Sequence, residues 1–162
     1  MSICKLVRYA MQQLQLALEQ FNSNLPIKPY CSDDLNLGLQ IRPKAIAILK
    51  RYIQPNHPYY THSFVFDLDI PAAYVEYRYS MIGIPEPNLI VENPSNGHAH
   101  FIYQLITPIF NTDASKPKPI QYGNAVYLAL REALGADVNY SGLITKNALH
   151  GHWRTYSLRE QP

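Results

Sequence analysis

The segment His62-Ser-Phe-Val-Phe-Asp-Leu-Asp69-Ile-Pro71 constrains this chain most, because strong strand formers and two carboxylates alternate along it. Side chains of a strand point alternately to opposite faces, so Phe64, Phe66 and Leu68 share one face and Val65, Asp67 and Asp69 the other. A strand buried on its aromatic face therefore presents both acids together on the other, about 6 to 7 Å apart. Like charges so close repel, and beside a core they need water or a cation. A divalent metal meets that need, and the hard ions Mg2+ and Mn2+ favour carboxylate oxygens. An edge strand with both acids facing water accounts for the same spacing.

A chain of 162 residues with 47% hydrophobic and 16% charged residues fits one globular domain rather than a disordered segment. The net charge of +2 creates no global basic field, so any site for a polyanion has to be local. The 13 tyrosines offer surfaces on which bases stack, although Tyr is equally a strand and core residue. Two cysteines, Cys4 and Cys31, make neither a disulfide framework nor a zinc site, and free thiols in a reducing compartment are expected. No apolar run is long enough to span a membrane and no leader precedes Lys5, which predicts a cytoplasmic protein.

Apolar residues at Ile3, Leu6, Val7, Ala10, Leu14, Ala17, Leu18 and Phe21 predict an amphipathic first helix, set apart as residues 1–27, that packs on the domain or reaches a partner. Residues 29–40 read as a loop with turns, Asp33 and Asp34 lying in a solvated turn or helix cap. Pro43 then opens a second helix over 44–53. Arg42, Lys44, Lys50 and Arg51 either touch phosphate or form that helix's solvated face. A helix is expected over 72–81, and strands over 88–92 and 98–105 joined by Asn93-Pro-Ser-Asn-Gly97, a strong hairpin signal. On the second of these strands His98, His100 and Ile102 share a face. Residues 107–121 read as an exposed loop, and 122–134 as a helix with Ala125, Leu128, Ala129 and Ala133 on its apolar side and Gly135 as its stop. Another extended piece begins at 136, and Lys146, Asn147, His150, His152, Trp153 and Arg154 follow within one short stretch.

Asp67, Asp69 and Asp137 thus fall, with a histidine pair, at the mouths of separate strands. Two-metal phosphoryl-transfer sites use such a cluster, with carboxylates on the ions and cationic groups on the triphosphate. The blocks Phe-Asp-Leu-Asp-Ile-Pro, Glu-Asn-Pro-Ser-Asn-Gly-His-Ala-His-Phe-Ile-Tyr-Gln-Leu and Leu-Gly-Ala-Asp-Val-Asn-Tyr-Ser-Gly-Leu-Ile-Thr-Lys-Asn-Ala-Leu-His-Gly-His-Trp, in this order, resemble the plasmid replicase family over residues 28–156. These are replication initiators with an archaeo-eukaryotic primase-type catalytic domain. The resemblance implies an α+β fold in residues 28–162, with a small α/β unit packed beside an RRM-like antiparallel sheet and the site between them. It implies metal-dependent, template-directed nucleotidyl transfer that makes or extends a primer, with single-stranded DNA and nucleoside triphosphates as partners.

By the same resemblance Asp67, Asp69 and Asp137 hold Mg2+ or Mn2+. The motif histidine that meets nucleotide phosphates falls on His98 or His100, with His100 preferred, and Lys146, Asn147 and Arg154 are further nucleotide-binding candidates. Ala148 stands where the family pattern has proline. Family members continue into helical segments that bind the plasmid origin, so that part is expected to be missing from a chain that stops near Arg159-Glu-Gln-Pro162. Two alternatives stay open. In a rolling-circle initiator or relaxase, His98-Ala-His100 would place a phosphate for Tyr122 or Tyr127. A non-catalytic nucleic-acid-binding module would use a Tyr-rich sheet with Lys and Arg.

Overall fold

The computed structural model describes residues 3–81 and 83–157, and side chains from residue 8 onward. The apolar contacts expected of Ile3, Leu6 and Val7, the Cys4 thiol and the Arg159–Pro162 end lie outside the described residues. Helix α1, Ile3–Asn24, seats Ala17 and Phe21 in the core, and Leu25 follows just beyond it. Its C-terminal half therefore packs on the body, as one of the two expectations had it.

Strand β1 (Tyr30–Ser32), a 3-10 turn at Leu35–Leu37, β2 (Gln40–Ile41), α2 (Lys44–Ala47) and β3 (Tyr52–Ile53) come next. Residues 29–40 are thus not merely loop, and the second helix is four residues long instead of ten. Its remainder is drawn into a strand because Ile53 and Tyr52 pair with Cys31 and Ser32 on one side and with Thr145 and Lys146 on the other. Asp34 caps the 3-10 turn by accepting from Asn36 N, and Asp33 pairs with Lys50 at 2.6 Å.

The alternation at 62–69 is realised in β4 (Tyr60–Leu68). After it come α3 (Ala73–Ser80), β5 (Leu89–Glu92), β6 (Ala99–Phe110), α4 (Pro117–Leu134), β7 (Thr145–Lys146) and β8 (Arg154–Tyr156). The supposed loop at 107–121 is shared between β6 and α4, which uses Pro117 in its first turn, where a missing N–H costs nothing. The extended piece expected from residue 136 is a turn with no strand until Thr145.

Among the described residues the fold is α+β, with four α-helices and two four-stranded antiparallel sheets ordered β2-β1-β3-β7 and β4-β6-β5-β8. The second sheet is the middle layer. On one face Phe64, Phe66, Leu68, Ile90 and Phe101 pack with α3 and α4 residues. On the other, Val65, Leu89, Val91 and Ile102 pack with α1 and with Cys31 and Ile53 of the first sheet. Helix α4 seats Gly123, Val126, Tyr127, Leu130 and Leu134, and leaves Leu128 half exposed. Its packed side is thus not the alanine side expected from spacing: Gly123 admits Ile109 so closely that a Cβ would meet it at 2.3 Å. No described helix is long and apolar enough to cross a membrane.

Candidate metal centre

Asp67 sits near the end of β4 on the face turned to the first sheet, in the row Asp67, His100, Val91, Thr155 across the sheet. Asp69 follows one residue past the strand and is mostly exposed. Asp137 reaches them from the far side of α4. Gly135 ends that helix in the left-handed conformation, φ 60°, Ala136 is buried, and Asp137 N donates to the carbonyl of Asp67 at 2.8 Å. Asp67, Asp69 and Asp137 can each turn one carboxylate oxygen to within 4.8 Å of the others. Three converging carboxylates repel unless a cation or a proton intervenes. Asp67 Oδ1, moreover, is buried without a well-formed hydrogen bond. An all-oxygen set of converging carboxylates fits a hard divalent ion of the Mg2+ or Mn2+ kind.

His100 backs this cluster. Its ring is buried, with Nδ1 2.9 Å from Thr145 Oγ1 and accepting from Lys146 N at 3.1 Å. A backbone N–H is an obligatory donor, so Nδ1 carries the lone pair and the proton is on Nε2, which lies 3.3 Å from Asp67 Oδ1. Burial pushes the imidazole below its ordinary pKa and nearby Lys146 adds to this, outweighing Asp67. The neutral ring thus points an N–H at the acid. Tyr140 lies over the ring at 5.0 Å, its hydroxyl donating to Ile144 O at 2.6 Å.

Lys146 Nζ lies 3.8 Å from Asp67 Oδ1, and burial lowers its pKa against the pull of Asp67 and Asp69. For Asp67, burial raises the carboxyl's pKa, yet the hydrogen-bonding His100 and the charge of Lys146 outweigh it and hold the carboxyl below its ordinary value. His98 is the more accessible of the two, with about 30% of its side chain in solvent and Nδ1 3.1 Å from Asp69 Oδ1. His100, enclosed by Thr145, Tyr140 and Asp67, is almost wholly withdrawn from solvent.

Two candidates do different work. Asn147 is fully buried: its amide donates to the carbonyls of Ile48 and Lys50, and its oxygen accepts from Leu149 N. Arg154 is not brought in. It pairs with Glu92 at 3.9 Å, in the row with Ala99 and Leu68, hence on the opposite face of the sheet from Asp67. Trp153 is buried in the core, with its indole N–H donating to Arg51 O. Thr145 and Tyr140 escaped the sequence reading. Their only signal was proximity to Asp137 and Lys146.

Tyr127 is not placed to form a nicking site with the histidines. His98 engages Asp69 while His100 turns to Thr145, and Tyr127 stacks on Phe66 at 4.8 Å across the sheet from both. A cleft of about 530 Å3 is lined by Asp33, Asp34, Arg51, Tyr52, Ser95 and His152 among others; none of the three acids lines it, and its link to the centre is Tyr52, the strand neighbour of Lys146.

A family model described as the Replicase family matches residues 24–162. No curated protein and no solved structure matches the chain.

Proposed function

Because the chain belongs to the Replicase family, we propose that it is the primase-type catalytic unit of a plasmid replication initiator, carrying out metal-dependent, template-directed nucleotidyl transfer on single-stranded DNA. The observation that carries this reading is the convergence of Asp67, Asp69 and Asp137, backed by a neutral histidine and a buried lysine. These acids would hold Mg2+ or Mn2+, which when bound lowers the pKa of an attacking hydroxyl and offsets charge on the triphosphate.

The remaining residues position and neutralise. His100 points its Nε2–H at Asp67 Oδ1 from 3.3 Å, and Lys146 offers a positive charge beside the same carboxylate. His98 is the histidine that an incoming triphosphate can reach. The cleft that Tyr52 lines lies in the size range of ligand sites and would take the nucleoside. Such placement is most of what phosphoryl transfer asks of a protein. The split β-α-β formed by β4, α3 and β5 with β6 between the two strands supports the primase-type reading, while β8 lies beside β5 rather than beside β4. Incubation with a single-stranded template, labelled nucleoside triphosphates and Mg2+ or Mn2+ tests it. Labelled strands are expected, and a chain that incorporates nothing with either ion, or that becomes covalently joined to DNA, overturns it.

A further inference from the structure

Positive charge on this chain is concentrated in one region. Residues 20–66 contain five Lys and Arg against two Asp, a surplus larger than the +2 of the whole sequence, and both acids are adjacent, at Asp33 and Asp34. Asp33 is already matched by Lys50. Segments 20–32 and 35–66 contain no acid at all.

The fold gathers the basic and aromatic residues of these segments. Lys44 N donates to Ile27 O, Arg42 N to Pro29 O and Gln54 N to Tyr30 O, which lays residues 27–30, 42–44 and 54–59 side by side. Lys28, Arg42 and Lys44 have no acidic partner within ion-pair distance among the described residues. Tyr30 and Tyr59 are 39% and 56% exposed, and the His57 ring packs on Tyr59 at 5.5 Å. Lys28, Tyr30 and His57 line one cleft of about 330 Å3. Unpaired cations interleaved with exposed rings suit a single strand, whose phosphates meet the cations while its bases stack on the rings; a duplex hides those bases.

The surface is joined to the acid centre. Ser32, Tyr52 and Lys146 are neighbours across the first sheet, and Tyr30 projects from the same face two residues away, about 7 Å along the strand. We propose that Lys28, Arg42, Lys44, Tyr30, His57 and Tyr59 form a docking track for single-stranded DNA that leads to the acid centre. The identity of this strand as template rests on the proposed nucleotidyl transfer; binding itself does not.

The test is fluorescence anisotropy of labelled (dT)20 with the whole chain in EDTA. Replacing Lys28, Arg42 and Lys44 together by Glu is expected to weaken binding about tenfold or more and to flatten the slope of log K against log salt by about 2, as loss of three phosphate contacts requires. Tyr59→Ala alone is expected to weaken it about fivefold or more. Unlabelled duplex should compete poorly, and circular dichroism should be unchanged in both variants. Wild-type affinity and salt slope in the triple variant, or equal competition by duplex, overturns the track. Incorporation by the wild type with undiminished oligonucleotide binding in the triple variant rejects the track and keeps the proposed chemistry. Loss of binding in that variant, with no incorporation by the wild type, keeps the track and rejects the chemistry.

Discussion

The amide of Asp137 donates to the carbonyl of Asp67 across 2.8 Å, so two acids far apart in sequence are tied through their backbones rather than through their side chains. Both carboxylates remain available, and Asp137 further accepts from Asn139 N, which sets its rotamer. The convergence of the acids is thus a property of where β4 ends and α4 stops.

Asn147 holds the second connection, between β7 and the turn after α2. Asn147→Ala would remove the donor to the part-buried carbonyls of Ile48 and Lys50, at a cost of about 2 kcal/mol for two lost hydrogen bonds. Urea denaturation measures this. A loss below about 1 kcal/mol would show that the bracket is unimportant and return Asn147 to the list of ligand contacts.

Gly97 has φ 75°, and a Cβ there would stand 2.3 Å from Ala72 N, which is backbone and cannot swing aside. Its carbonyl also accepts from Ala73 N at the start of α3. Gly97→Ala is expected to cost about 2 kcal/mol or more, and to displace the neighbouring His98 from Asp69. An unchanged denaturation midpoint would contradict the close packing of this turn.

Lys146→Met removes the cation beside Asp67 while keeping most of the side chain's bulk. Leaving a mostly buried carboxylate without its partner is expected to destabilise the metal-free protein by about 3 kcal/mol. Added Mn2+ should restore part of that loss, since a bound ion supplies the missing charge. Thermal unfolding with and without Mn2+ measures both, and a variant that gains no more from Mn2+ than the wild type contradicts the shared role.

His100 makes stability depend on pH. Its imidazole is held low by burial, so the folded ring stays neutral while the unfolded ring titrates near about 6.5. Below that pH the unfolded state binds the extra proton, and stability falls as pH drops from about 7 to about 5. His62, lowered by the same cause, adds to the slope, and the depressed carboxyl of Asp67 titrates below this window. In His100→Gln the fall should be smaller. An unchanged slope would mean that the ring is charged in the folded protein.

The strand carrying Asp67, its two faces and the Asn-Gly hairpin were legible because period-two alternation and turn chemistry are local. Tyr52–Ile53 was not: after Ala45-Ile-Ala-Ile-Leu it reads as helix, and only pairing with Cys31–Ser32 and Thr145–Lys146 makes it a strand. The packed side of α4 was missed because Gly123 carries no hydrophobic signal, yet closeness there decides which residues face the sheet. Among the candidate residues, the two histidines look alike in sequence. What separates them is Thr145 and the Lys146 amide arriving from another sheet to occupy His100 Nδ1, while His98 stays at the surface.

The most direct measurement is Mn2+ binding to the intact chain, followed by electron paramagnetic resonance of the unbound ion, for the wild type and for Asp67→Asn, Asp69→Asn and Asp137→Asn. Saturable binding by the wild type that weakens tenfold or more in each variant, with circular dichroism unchanged, is the expected result. Equal Mn2+ affinity in all four proteins would contradict a metal centre built from these three acids.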